Sequence, residues 1–472
     1  MRRRLLRRLG LLLTATLALV LALPAVALAQ EEMSPAEIGA TMDTMWVMVA
    51  FVLVLFMQAG FAMLEVGFSR MKNVGNVVAK ILANMAVGAL VFWAIGFGIA
   101  FGAGTPFFGL EGWFLSGNID AGTIPLSMLF IFQMAFALVA LAILWGTMLE
   151  RTKFSVYLIF AVIFVGIIYP MGAHWIWADD GWLAALGKQD FAGSTVVHLS
   201  AAMAALAGTI IVGPRLGRFD DNGRPQLIPG HNMPLAVLGV LILWLGWQGF
   251  NPGSTLAATT EIADIALTTN LAAAAGVLGA IIVCYLYRGH IDVGMAGNGA
   301  IAGLVAITAT CAFVAPWASV VIGFIAGGVM YGTAVLMERM GIDDPVGAIA
   351  AHGMGGVWGT LSAGLFTTPE LAEANGGLPG LFYGGGLTQL GVQAISMFSV
   401  AGFTFFASLA VFAVLKATIG IRVKPDQELN GLDISDHGSY GMSEGLVATD
   451  NYPGNGNGQY TEAPVKTPEG RS

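Results

Sequence analysis

The chain has 472 residues, of which 56% are hydrophobic and only 11% charged, against roughly 25% charged in a soluble globular chain. Water therefore cannot be the solvent for most of its surface, which excludes an ordinary soluble domain and points to lipid. The formal net charge of -8 says less about partners than where the charges sit; a bilayer is expected, with no nucleic acid. In chain order, Arg2, Arg3, Arg4, Arg7 and Arg8 precede an apolar run from Leu11 to Leu23, then Pro24 and Ala27-Leu28-Ala29. A basic stretch, an apolar stretch and an A-x-A site predict a signal peptide over residues 1–29, cleaved before Gln30. An uncleaved first helix is the alternative.

Apolar stretches of about 20 residues, the length that crosses a bilayer, then fall near 43–68, 76–103, 124–149, 154–178, 191–213, 232–252, 264–288, 295–315, 317–338, 344–366 and 390–415. The fold class is an all-α integral membrane protein of eleven spans over 30–415, followed by a polar tail over 416–472. The glycine- and asparagine-rich end of that tail, from Asp450 to Ser472, reads as disordered. With the N-terminus outside, one set of loops carries Arg70, Lys72, Arg151, Lys153, Arg215, Arg218, Arg224, Arg288, Arg339, Lys416, Arg422 and Lys424, and the other carries Lys188 alone. Basic residues stay on the cytoplasmic side, so the topology is N-out, C-in, in the inner (cytoplasmic) membrane. Acidic residues collect on the opposite side: Glu111, Asp120, Asp179, Asp180, Asp190, Glu261, Asp264, Glu370 and Glu373. Such a face either concentrates a cationic substrate or only keeps short loops soluble.

Spans five and ten share one pattern. Asp190-Phe191-Ala192-Gly193 leads to His198, and Asp344-Pro345-Val346-Gly347 leads to His352; both are D-x-x-G-x-x-x-x-H. Five spans separate them, so the copies run in opposite directions, an inverted 5+5 repeat plus a final helix, as in many secondary transporters. Eight helical residues rise about 12 Å, which carries each histidine from its own edge close to the centre of a layer about 30 Å thick. Asp190 and Asp344 read as helix caps, with Asp190 also placed to hold an outer vestibule. The histidines read as functional, because ionisable groups inside a membrane are costly and retained for use. Two neutral imidazoles can share a proton and leave a nitrogen facing a pore. No third or fourth ligand stands at that depth, so no metal is expected, and no cofactor. Neither H-E-x-x-H nor G-x-S-x-G occurs, so the chain is not expected to be an enzyme. Glu65, near the inner end of span one, is expected to pair with Lys72 or Lys80 across the hairpin.

At these residues the chain resembles the ammonium transporter (Amt/Rh) family. The resemblance rests on Asp190-to-His198, on Gly246-Trp-Gln-Gly-Phe-Asn-Pro-Gly-Ser254, on Ile131-Phe-Gln-Met-Ala-Phe136 and on the tail segment Gly431-Leu-Asp-Ile-Ser-Asp-His437. It implies that Phe136 and Phe250 close the pore on its outer side, and that Trp177, Ser254 and Phe136 recruit ammonium above them. An aromatic face attracts a cation and a hydroxyl oxygen accepts N–H donors, which gives that site a physical basis. The resemblance further implies a homotrimer with one pore per subunit and a PII-type signalling protein docking at the cytoplasmic tail. The rival reading is a sensor of external ammonium on the same fold.

Overall fold

The computed structural model describes residues 33–442 apart from residue 118; the predicted signal peptide and the predicted disordered tail end lie outside the described residues. The long helices are α1 (Pro35–Phe68), α2 (Met71–Phe101), α3 (Leu126–Gly146), α4 (Phe154–Trp177), α5 (Ser194–Val212), α6 (Met233–Gly253) and α7 (Glu261–Arg288). Next come α8 (Val293–Thr308), α9 (Pro316–Arg339) and α10, a π-helical Ile349–Met354 continued by Gly355–Phe366; α11 is Thr388–Thr418. Nine of these, all but α8 and α10, are long and apolar enough by themselves to cross a bilayer, among the described residues. This is an all-α membrane protein. The remaining two helices stand where spans eight and ten were expected.

The two largest boundary differences from the sequence reading each have a local reason. Helix α1 begins well before residue 43 because Ser34 and Glu37 form a capping box: the Ser34 hydroxyl accepts from Glu37 N at 3.3 Å and the Glu37 carboxylate accepts from Ser34 N at 2.8 Å. Helix α8 stops at Thr308 rather than 315. Its last carbonyls turn to the chain entering α5, accepting from Phe191 N (3.1 Å, at Ala309 O) and Ala192 N (3.0 Å, at Thr308 O). The Ala309 N–H in turn donates to Ser194 Oγ at 2.7 Å. A helix end that spends its groups on a neighbour cannot also continue.

Leu82, Leu286, Phe398 and Phe406 point outward and exposed, the arrangement lipid permits. Inside, α3 is apolar all round, with mostly buried side chains from Met128 onward, which is how a helix surrounded by others reads. Small residues let α1 and α6 touch backbone to backbone: a Cβ on Gly67 would lie 2.4 Å from Ala236 N, and one on Gly239 2.4 Å from Leu64 N.

The loops bearing the basic residues meet at one end of the bundle. Arg215 is held by Asp343 through Nε (2.8 Å) and Nη2 (3.0 Å) and lies 3.5 Å from Glu150, which also binds Arg70 at 2.6 Å. Arg218 adds a contact of 3.3 Å to Asp343, and Arg151 donates to the Asp343 carbonyl at 2.8 Å. Burial works against the charged form of both acids, yet Arg151 and Arg215 hold the Asp343 carboxyl, and Arg215 and Arg70 the Glu150 carboxyl, below the ordinary carboxylate range. The tail is strapped across this end. Asp433 accepts from Gly75 N (3.0 Å), Asn76 N (2.8 Å) and Gly441 N (2.9 Å), Leu432 N donates to Asn73 Oδ1 (2.9 Å), and Glu428 binds Arg422 at 2.7 Å.

Candidate functional site

Both copies of the D-x-x-G-x-x-x-x-H pattern adopt the same local form. Asp190 Oδ2 accepts from the backbone N–H of Thr195 (3.0 Å) and Val196 (3.1 Å). Asp344 accepts from Gly347 N (3.0 Å) and Ile349 N (2.7 Å). Each acid thus satisfies donors at a helix start and reaches further along the chain than a simple cap, Asp190 to residues five and six on and Asp344 to residues three and five on. Gly193 (φ 108°) and Gly347 (φ 76°) turn the chain in the left-handed region, where side chains are strained. The π-helical turns Ser194–Leu199 and Ile349–Met354 follow, and each contains its histidine. Such wide turns are rare and concentrate at functional places.

The two turns bring the rings together. His198 Nδ1 and His352 Nδ1 are 3.1 Å apart and the ring centroids 5.2 Å apart, tilted by 24°. His198 is fully buried and His352 nearly so. The other nitrogen of His198, Nε2, has no hydrogen-bond partner. Trp247 fixes the His198 ring by stacking at 5.2 Å, and is itself held by a bond from its Nε1 to Thr308 Oγ1 at 2.9 Å. Sequence reasoning missed Trp247, although it sits three residues before Phe250 on the same face of α6; that spacing was the available signal.

Above the histidines lies a stack of rings. Phe250 is 5.5 Å from His198, and Phe136 stacks on Phe250 with centroids 4.0 Å apart at 22°. Trp177 meets Phe136 edge-on at 6.1 Å. Phe136 and Phe250 are buried with almost no exposure, so their stacked rings leave no open space at this level. Phe136, Trp177 and Ser254 all line one open cavity of about 860 Å³, together with Gln133 and the acids Asp120, Asp179 and Asp180. Ser254 directs its hydroxyl hydrogen to Phe250 O at 2.8 Å, which leaves its oxygen free to accept. Trp177 Nε1 donates to Asp190 O at 2.9 Å, so Asp190 anchors both the tryptophan and the start of α5. A chain of contacts therefore runs from an acidic mouth, through two phenylalanines, to two imidazoles. Among the described residues, no three His, Cys, Asp or Glu side chains gather closely enough to hold a metal.

The Ammonium Transporter Family profile matches residues 45–442. The chain belongs to the ammonium transporter family. It is 46% identical over 411 residues to ammonium transporter Amt2 of Archaeoglobus fulgidus, covering 84% of this chain and 87% of that one. It is 40% identical over 413 residues to a putative ammonium transporter of Synechocystis, across 84% of this chain and 73% of the relative. Among solved structures, a sensor Amt protein aligns with a TM-score of 0.78 at 36% identity, over 85% of this chain and 99% of that one. Mep2 of Candida albicans aligns with a TM-score of 0.77 at 28% identity, over 88% and 93%.

One sequence expectation is met only at a distance: Lys80 is the cation that acts on Glu65 electrostatically, without a contact between them. Glu65 does not pair with Lys80: among the described residues no salt bridge within 4.0 Å joins them, and Glu65 Oε2 has no hydrogen-bond partner. The Lys80 ammonium instead lies over the Tyr157 ring, 5.5 Å from its centroid, and the other expected partner, Lys72, donates to the Leu429 carbonyl. Adjacency across a hairpin did not specify where two long side chains point.

Gly193 offers a direct check on how Trp177 is held. A Cβ there would stand 2.8 Å from Val197 Cγ2 and 3.1 Å from the far ring carbons of Trp177, on a backbone that costs a non-glycine residue about 1–2 kcal/mol. Gly193→Ala is expected to lower thermal stability by that amount and to weaken the apparent affinity for ammonium several-fold. Unfolding curves and the concentration dependence of uptake measure both.

Proposed function

We propose that this protein conducts ammonium: NH4+ is bound between Trp177, Ser254 and Phe136, passes the gate of Phe136 and Phe250, and gives up a proton. Neutral NH3 then moves past His198 and His352 while the pair relays the proton, so that each turnover carries charge. The observation that carries this reading is the contact between two buried imidazoles, Nδ1 to Nδ1 at 3.1 Å, directly behind a closed aromatic stack. Ammonium and potassium are alike in size and charge, and only the first can shed a proton; an apolar passage therefore separates them where a charged one would not. The acids lining the mouth supply attraction for a cation.

This reading includes eleven membrane spans in an inverted 5+5 repeat plus one, N-out and C-in, in the cytoplasmic membrane. It also includes a homotrimer and a PII-type protein docking at the tail over Gly431–His437. Purified protein in liposomes is expected to give an ammonium-evoked inward current that potassium does not evoke. Absence of that current, with the protein correctly inserted, overturns the proposal. The second reading is an ammonium sensor, favoured by the 0.78 TM-score to a sensor Amt protein. Uptake restored in a strain lacking its own ammonium transporters favours transport; binding without uptake favours sensing.

A further inference from the structure

Next to the histidine pair, away from the aromatic stack, lies a small cavity of about 20 Å³ whose lining includes His352 and Glu65. A space of that size holds one water molecule. Glu65 and His352 are its only ionisable lining residues, and the remaining wall is apolar apart from Asn298. Asn298 is already committed, donating to Val346 O at 2.9 Å. Glu65 is only 1% exposed, and its Oε2 finds no hydrogen-bond partner in the protein. A buried carboxylate oxygen left unpaired is costly, and replacement by an apolar side chain would remove that cost. The other charged or titratable groups around it are Lys80 from α2 and Tyr157 from α4, which engage each other through the ammonium-over-ring contact. Lys80 offsets the charge of Glu65 at a distance without occupying its lone pairs.

We propose that Glu65 is the inner proton acceptor of the pore, receiving the proton that the histidine pair hands on and delivering it to ammonia at the exit. The inference rests on the ammonium reading above. A proton leaves the His352 ring nitrogen not engaged with His198 and passes to a water in the cavity. That water releases one of its protons to Glu65 Oε2, forming a neutral carboxyl group. Ammonia arriving through the pore takes this proton: an N–H bond forms as the O–H bond breaks, the carboxylate returns, and NH4+ departs. No electrons are exchanged. One NH4+ is consumed on the outer side and one appears on the inner side, and the charge has moved apart from the nitrogen only between the aromatic gate and this cavity.

The test uses proteoliposomes holding the full chain as wild type, Glu65→Gln and Glu65→Asp, with ammonium-evoked current read in light and heavy water. Glu65→Gln keeps size and shape while losing the basic oxygen; its current is expected to fall about a hundredfold, the lower end of the range that positioned proton transfer supplies. Its solvent isotope effect is expected to rise as the last proton hand-off becomes limiting. Glu65→Asp is expected to recover most of the current. Full current in Glu65→Gln with an unchanged isotope effect overturns the proposal. Equal loss in both variants with an unchanged isotope effect also overturns it, because packing would then be the whole role. Should Glu65→Gln fail to fold, Glu65→Asp decides: its shorter side chain lengthens the last hand-off, so an isotope effect modestly above that of wild type is expected, and an unchanged one overturns the proposal. A wild type without ammonium current would instead bring down the transport reading on which this rests.

Discussion

Alanine in place of His198 or of His352 is expected to lower the ammonium-evoked current about a hundredfold, the scale of losing a positioned acid–base group. The two rings meet at 3.1 Å through Nδ1, so one hydrogen is shared and either ring depends on the other to pass it. His198 is stacked against Trp247 and fully buried; no water-exposed group replaces it when it is removed. Phe250 packs on the His198 ring, but Phe136 and Trp177 stand on the far side of Phe250 from it, so recruitment of ammonium should survive. The measurement is current on proteoliposomes with ammonium and with potassium. Full ammonium current with intact potassium exclusion in both variants would sink the relay.

The second large effect concerns stability at the polar end of the bundle. Asp343→Ala leaves the buried Arg215 and Arg151 facing one another with their shared acid gone, and breaking a buried ion network in this way costs about 3–5 kcal/mol. For a protein of this length, with an unfolding entropy of about 2 cal/mol/K per residue, that is a fall in Tm on the order of 5 °C. Glu338→Ala, by contrast, removes a half-exposed acid whose pairing with Arg218 is worth under about 1 kcal/mol. The pH dependence follows from the signs. Asp343 and Glu150 are both held below the values they take when unfolded, so their contribution is complete above the unfolded carboxylate range of about 4. It disappears as pH falls through the lower folded values. Wild type should therefore lose stability in acid below about pH 4, and Asp343→Ala should lose less over the same interval. A steeper acid loss in the variant would contradict the network.

How far this site was legible in the sequence depends on what kind of signal each part left. The histidines were readable because the same nine-residue pattern occurs twice, and depth follows from counting residues along a helix. Phe136, Phe250, Trp177 and Ser254 were not readable from their own chemistry, since an aromatic in a membrane helix looks like packing; only the family resemblance singled them out. Trp247 left the same ambiguous signal and was passed over. The long apolar helices were visible as apolar runs, but the stop of α8 at Thr308 was not, because its cause is a set of hydrogen bonds to Phe191, Ala192 and Ser194, more than a hundred positions away. The start of α1 was visible in principle, in Ser34-Pro-Ala-Glu37. Glu65 shows the limit most clearly: hairpin geometry put Lys80 within electrostatic reach of it but did not bring the two into contact.

The strap formed by Leu432 and Asp433 joins residues separated by more than 350 positions along the chain. While the protein is being made, Asn73 and the amides of Gly75 and Asn76 are threaded into the bilayer edge long before their partners leave the ribosome. For most of synthesis these groups must be satisfied by water or headgroups, and this end of α2 stays loosely anchored. Pairings so distant in sequence form last. Completion of the bundle thus waits on its final segment, so a ribosome stalled after α11 would release a bundle whose helices are all inserted and whose polar end is still unlatched.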